Sequence, residues 1–371
     1  MNKMNKRWKW SIAGGMFLLL FILLSSWFFN KENGLFIEHL SEKQQSNQKG
    51  SMSNSATQKN IDQIIKDAHF QGAALLVSQD QIFYQQSYGY ADEQNKRPNE
   101  IDGVFPIASL QKIITGSIIL ELVKEGKLKL DTTLDTFYPE IDLSQTITIQ
   151  QLLDHNSGIY MAEEEPENLL TDQESQIDNV LESLTVVGNK EFNYTNSNYT
   201  LLAGIISKLT RQSYEEVIQK RVIDKLSLSH TYFWDDLPTD VTIPEPYFYV
   251  EEDYQADLSP ANEKLYSSLL GAGNMYMSTE DFWVFIQSLA NGQLFDQAEY
   301  EQLAKVKEEG YQAGMIYFDD LKYSEGNLGG YATVIYGDQD NQNLVILFAN
   351  QPTNNGMQAL SEELFNQLRN V

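Results

Sequence analysis

Ser109 and Lys112 stand three residues apart near the start of the apolar stretch FPIASLQKIITGSIILELVKEG, residues 105–126. On a helix that spacing sets both side chains on one face. There an amine can take the hydroxyl proton and turn a poor nucleophile into one able to attack an acyl carbon. Aliphatic neighbours disfavour the ammonium form and make the lysine a better base. The same spacing also describes an ordinary helix cap followed by a lysine. Ser46 and Lys49 repeat it inside a polar stretch, so the pair gains weight only from partners elsewhere in the chain.

Three other segments carry polar groups suited to a pocket. FNYTNSNY offers the phenol of Tyr194 and the amide of Asn196, which would otherwise be a packed tyrosine and a helix cap. QLLDHNSG holds His155, and a buried histidine bonded to nearby backbone is favoured there over a partner for the serine. GNLGGYATVIY places Gly326, Gly329 and Gly330 just before an apolar strand. Glycines there let a substrate lie close to the edge backbone, although a plain turn accounts for them equally well. His39, His69, His155 and His230 are scattered without ligand spacing, so no metal is expected. Neither a phosphate loop nor a dinucleotide fingerprint is present, so no cofactor is expected either.

The elements that must position these groups follow from periodicity. After Pro106, the residues Ile113, Ile114, Ile118, Ile119, Leu122 and Val123 form a broad apolar helix face that Gly126 ends. A short helix is expected over 61–69. A hairpin should pair 73–77 with 82–87, and another 331–336 with 343–349. Helices are expected around Leu152, over 198–209, 214–226, 278–289 and 361–368, with surface helix and loop over 163–182. Strands at both ends and helices between them give an α+β fold. An antiparallel sheet built from both chain ends is flanked by helices and carries an inserted, mainly helical lobe.

The chain has 371 residues, no cysteine and a formal net charge of −26. That acidic balance argues against a nucleic-acid partner, which lysine and arginine would bind. Lys3, Lys6, Arg7 and Lys9 precede an uncharged run from Trp10 to Phe29, long enough as a helix to cross about 30 Å of hydrocarbon. Residues 1–30 are therefore expected to be a basic cytoplasmic end and an uncleaved transmembrane anchor. The rest of the chain then lies outside the cell membrane as a single-pass protein. Residues 31–60 read as a flexible tether, and 61–371 as the folded domain.

The order of the pieces SYGYAD, VFPIASLQK, LDTTLDTFYPEI, ITIQQLLDHNSGI, YTNSNYTLLAGIISKLTRQSYEEVIQKRVIDKLSLSHTYF, GAGNMYMSTEDF and NLVILFANQ resembles the serine β-lactamase and penicillin-binding protein superfamily. The likeness is to its class C-like branch, which includes D,D-peptidases and esterases, and it covers roughly residues 61–368. It implies that Ser109 is the acylated nucleophile and Lys112 its proton acceptor or a partner in that transfer. Tyr194, with a lowered pKa, would shuttle protons to the leaving group and activate the deacylating water. Asn196 would orient the substrate amide, and the N–H groups of Ser109 and Gly330 would hold the oxyanion.

Members of that branch usually carry lysine or histidine at the start of the third motif, where this chain reads Asn327, Leu328, Gly329. Losing a charge-assisted hydrogen bond to a substrate carboxylate costs about 1.5–3 kcal/mol, roughly 10–100-fold. The resemblance therefore implies a serine hydrolase of the cell envelope whose ester or amide substrate lacks a free carboxylate at its recognised end. D-alanyl esters of teichoic acid, which carry an ammonium, suit both the missing cation and the acidic surface. The alternatives are a D,D-carboxypeptidase or weak β-lactamase acting on peptidoglycan peptides or penicillins, and a non-catalytic envelope-binding protein.

Overall fold

The computed structural model describes residues 52–369 apart from 258, 259 and 354. The expected anchor, and the expected tether as far as residue 51, lie outside the described residues. Among the described residues no helix is long and apolar enough to cross a membrane.

Helix α1 (Met52–Asp67) begins well before Ile61 and takes in the end of the stretch read as tether. The hairpin of β1 (Gln71–Ser78) and β2 (Gln81–Tyr88) follows. The mainly helical insert carries α2 (Gln111–Lys124), α3 (Ile149–Leu153), α4 (Gln173–Ser183), α5 (Asn196–Thr210) and α6 (Thr279–Ser288). The chain then returns to the sheet as β3 (Gly310–Gln312), β4 (Met315–Phe318), β5 (Leu321–Leu328), β6 (Tyr331–Asp338) and β7 (Leu344–Gln351). Helix α7 (Met357–Leu368) follows the last strand. All seven strands are antiparallel in the order β3-β4-β5-β6-β7-β1-β2. Both chain ends therefore build one sheet, as expected, by the pairing of β1 with β7.

Each central strand is buried on both faces, and the period of two divides its side chains between two cores. Ala73, Leu75 and Val77 of β1 pack with the insert. Ala74 and Leu76 face α1 and α7, against Ile61, Ile65, Leu360 and Leu364. Burying each of these larger aliphatic side chains contributes about 1.5–3 kcal/mol. Helix α2 runs through the first core and is buried on nearly every side, so its polar residues must find partners inside the protein.

Strands β3, β4 and β5 were not foreseen. They are short or mixed in character, and the turns at Gly314 and at Asp319–Asp320 break any period. The region expected as one helix over 214–226 is instead α-helix over 214–218, π-helix over 219–223 and a last α turn over 224–226.

Candidate active site

The serine turn is built where an extended run meets a buried helix. Phe105 and Pro106 pair with Met277 and Tyr276 in a small three-stranded sheet, and the Ile107 N–H reaches Met275 O at 2.9 Å. Ala108 then takes a left-handed φ of 46°, uncommon for a residue with a side chain. A single 3₁₀ turn, Ala108–Leu110, leads into α2. This lifts Ser109 to a half-buried position while Lys112 is enclosed at 0 % exposure. Gln111 and Thr115 hold the helix in place: Gln111 Nε2 donates to Asn274 Oδ1 at 2.9 Å and Gln111 Oε1 accepts the Asn274 N–H at 2.5 Å. The Thr115 hydroxyl donates to Gly271 O at 2.6 Å.

Lys112 Nζ has three partners: Ser109 Oγ at 3.0 Å, Asn196 Oδ1 at 2.7 Å and Ala272 O at 2.7 Å. An ammonium fills all three positions with N–H donors. Burial, opposed by the negative charge of Glu163, brings its pKa down to about 7. On losing a proton the amine can keep its bonds to the two carbonyl oxygens, neither of which can donate, and turn its lone pair toward Ser109 Oγ. The geometry thus selects the serine as the group from which the amine accepts a proton.

Tyr194 donates its hydroxyl to Ser109 Oγ at 2.7 Å. Burial pushes the phenol pKa up, against the lowering effect of its bond to Ser109. The expected lowered phenol pKa is thus overturned by desolvation: Tyr194 enters as a protonated donor. Its ring lies 4.3 Å from that of His155. His155, fully buried, accepts at Nδ1 from Asn198 Nδ2 at 3.0 Å and from the Thr195 N–H at 3.4 Å. Desolvation holds it neutral, with its pKa well below the usual value. The histidine is the buried, backbone-bonded group expected, and it shores up the tyrosine rather than pairing with the serine. Asn196 opens α5, behind the N-cap Thr195.

The sheet side of the site differs from expectation. Strand β4 pairs with β5 only from Leu321 to Tyr323, so from Ser324 to Leu328 one edge of β5 has no strand partner among the described residues. The residue that meets the serine turn is Gly326: a Cβ there would stand 2.9 Å from Ser109 N and 2.5 Å from Ile107 O. Gly330 gives its N–H to Asp257 Oδ2 at 3.0 Å instead of to an oxyanion. It and Gly329, whose φ is +62°, form the β5–β6 turn, packed on Tyr247 and Asp257. Asn327 is displaced too. It shares a strand face with Tyr323, which packs in the α7 core, and its exposed amide donates to Glu325 Oε1 at 2.5 Å. Alternation turns that face away from Ser324 and Gly326, so neither Asn327, Gly329 nor Gly330 joins the serine, whereas Ser109, Lys112, Tyr194 and Asn196 do converge.

Glu163 was missed. Its negative charge bears on Lys112 and on Tyr194, raising the pKa of each. The residue is exposed, yet protein crowded about the carboxyl raises its pKa, against the lowering effects of Lys112 and the Asn196 N–H. No local pattern in the run EEEP marks it. Among the described residues no group of histidine, aspartate and glutamate is arranged to hold a metal ion.

A family model described as Beta-lactamase matches residues 57–365. Teichoic acid D-alanine hydrolase of Staphylococcus aureus is 26% identical over 308 residues, which is 80% of this chain and 74% of that protein. The crystal structure of FmtA from Staphylococcus aureus superposes with a TM-score of 0.76 at 23% identity, covering 85% of this chain and 90% of that one. D-amino acid amidase from Ochrobactrum anthropi SV3, complexed with L-phenylalanine amide, gives 0.71 at 19% identity over 86% and 98% of the two chains. The two structural likenesses speak for a shared fold.

Proposed function

The chain belongs to the beta-lactamase family, and from that premise we propose that it is a serine hydrolase that removes D-alanyl esters from teichoic acid through an acyl-enzyme on Ser109. The observation that carries the chemistry is the three-way bonding of Lys112, which leaves one position of the amine for the Ser109 proton. Neutral Lys112 takes that proton as Oγ attacks the ester carbonyl. The oxyanion forms between the Ser109 N–H and the β5 backbone at Gly326. Tyr194 donates to the departing alkoxide oxygen and recovers a proton from the lysine side, so the net transfer runs from Ser109 to the leaving group. Water then attacks the D-alanyl ester of Ser109 by the same route, releasing D-alanine and restoring the hydroxyl.

The substrate assignment draws on the Staphylococcus aureus relative named for this reaction, on the acidic charge of the chain, and on the unpaired stretch of β5. From Ser324 to Leu328 that stretch offers no lysine, arginine or histidine to a carboxylate. We further propose residues 1–30 as a membrane anchor and the polar stretch after them as a tether, with the hydrolase domain on the outer side. Incubating the full chain with D-alanylated teichoic acid tests the reading. D-alanine release by wild type, absent in Ser109→Ala, is the expected result; equal release by both proteins overturns it. The rival D,D-carboxypeptidase or weak β-lactamase reading requires a fluorescent penicillin to label wild type and spare Ser109→Ala. A purely binding role requires that no activated ester form an adduct on Ser109.

A further inference from the structure

We propose that Thr115 and Tyr214 are positioning residues for the base: a directed chain of buried hydrogen bonds through them fixes the backbone carbonyl that aims Lys112 at Ser109. The inference rests on the hydrolase reading above and concerns its first step. Lys112 Nζ donates to two carbonyl oxygens, Asn196 Oδ1 and Ala272 O. The first ends a side chain and can turn about its own bonds, whereas Ala272 O is backbone and points only where the turn 269–274 carries it. That turn is closed on itself by the N–H groups of Ala272 and Gly273, which both donate to Leu269 O, at 2.9 and 3.0 Å. It is then tied to two helices. Thr200 of α5 donates to Leu270 O at 3.0 Å and Thr115 of α2 to Gly271 O at 2.6 Å, while Gln111 brackets the Asn274 N–H and side chain. Gly271, at φ +70°, presses so close on α5 that a Cβ there would stand 2.8 Å from that of Ala203.

The protons of this network have one consistent arrangement. A threonine hydroxyl carries a single proton, and that of Thr115 goes to Gly271 O. Its 2.7 Å contact with Tyr214 Oη must then be filled by the phenol proton. The phenol oxygen in turn accepts from Gln111 Nε2 at 3.3 Å. The chain therefore runs from Gln111 to Tyr214 to Thr115 to Gly271 O, and ends one residue before the carbonyl that receives Lys112. Burial pushes the Tyr214 phenol up to about 12, against the lowering effect of its bonds to Thr115 and Gln111, so it keeps the proton that this direction requires. Gln111, Thr115 and Tyr214 are all fully buried, and no solvent replaces a partner that is removed. Both positioning residues act on the base through Ala272 and not on Ser109 itself.

Labelling of the full chain with a fluorophosphonate tests this. Ser109 Oγ bonds the phosphorus, fluoride leaves and the hydroxyl proton passes to Lys112. Because the product is permanent, the final extent of labelling counts competent sites and the rate constant belongs to those sites alone. Thr115→Val and Tyr214→Phe are expected to label about 10–100-fold more slowly than wild type, and Thr115→Ser, which keeps the hydroxyl, close to wild type. A loosened Ala272 carbonyl also favours the ammonium less, so in both slow variants the rise of rate with pH is expected to begin lower although its plateau falls. The titratable groups that face Lys112 are the same in every variant: Tyr194 and Tyr199, with ring centroids 5.0 and 5.8 Å from Nζ, neutral His155, and Glu163 through its charge. If Thr115→Val does not fold, Tyr214→Phe carries the same test. A reduced extent of labelling at the wild-type rate constant, with the pH profile unmoved, would assign the network to folding and overturn the proposal. So does a loss of rate in Thr115→Val that Thr115→Ser shares. Wild type labelled at Ser109 and variants labelled just as fast remove this inference and leave the hydrolase reading; wild type that takes no label at Ser109 removes both.

Discussion

Two lysines of this protein are buried to almost the same degree, Lys112 at 0 % and Lys322 at 4 % exposure, and burial brings each down to about 7. Lys112, on a helix, meets a serine one turn away and a tyrosine from a neighbouring element. Lys322, on β5, donates to Asn341 Oδ1 and to Gln339 O, beside a cavity of about 10 Å³ lined by Tyr300, Tyr317 and Met315. That volume is about that of one water probe. Desolvation makes a base of either lysine and each donates to two carbonyl oxygens, but Lys112 is the one of the two that also hydrogen-bonds a serine hydroxyl. The pKa tells where a proton can leave; the partners decide whether its leaving does any chemistry.

Replacing each lysine by methionine separates the two regions most widely. Lys112→Met removes the proton acceptor and is expected to lower kcat/KM for ester hydrolysis about 10²–10⁴-fold. Lys322→Met is expected to leave kcat/KM near wild type and to change stability instead, by about 1–3 kcal/mol, because Asn341 Oδ1 is left without its donor. Steady-state kinetics with urea titration of both variants checks this. Equal losses of activity would show that the β5 lysine is wired to the site after all.

A smaller effect, also divided by region, is expected at the glycines of β5 and its turn. Gly326→Ala drives a Cβ into Ile107 O and Ser109 N, backbone atoms of the serine turn itself. A displacement approaching 1 Å there costs about 10²-fold in rate. Gly330→Ala meets Tyr247 N and O at 2.8 Å, so the strain falls on the segment covering the turn and is expected as lost stability with kcat retained. Loss of kcat in Gly330→Ala and its retention in Gly326→Ala would return the oxyanion site to the turn.

The same division governs what could be read from the sequence. Helix α2, the two hairpins and the closing of both ends into one sheet follow from strong periods of 3.6 and 2, and Ser109 and Lys112 follow from spacing on α2. Tyr194 and Asn196 have no such local signal; the order of motifs along the chain brought them in. The sheet edge failed because one residue of register turns every side chain to the opposite face. Aligning the third motif at Asn327 in place of Gly326 therefore exchanged the cleft for the α7 side. Glu163 was illegible because nothing within its loop dictates that its charge should act on Lys112, 51 positions earlier. The raised phenol pKa likewise comes from packing that no spacing encodes.

The lysines also leave a mark on stability. Each has a folded-state pKa below its unfolded value of 10.5, so the unfolded chain binds more protons between the two values and stability rises with pH there. The destabilisation is full below about pH 7 and relieved toward pH 10, by up to about 4 kcal/mol per lysine. Asp154 and Glu215, pushed up by burial to about 7, have opposite slope but lose their influence above that pH. Denaturation of the full chain in detergent at pH 7, 7.75 and 8.5, below the range in which the tyrosines of the unfolded chain lose their protons, is expected to show the rise, and Lys322→Met to reduce it. A rise undiminished in Lys322→Met would mean that the second lysine keeps an ordinary pKa.

The smallest effect is expected at Asn327, where sequence and structure disagree most directly. If the third motif began there, Asn327→Lys would restore a cation for a substrate carboxylate and raise the rate of penicillin acylation about 10–100-fold. The side chain instead lies exposed on the α7 face beside Glu325. A lysine there gains a surface ion pair worth about 0–1 kcal/mol and stays remote from Ser109. Penicillin acylation and ester hydrolysis by Asn327→Lys are both expected to match wild type. A gain in acylation confined to substrates with a free carboxylate would mean that β5 presents this residue to the cleft, one step out of the register in which Gly326 meets Ser109.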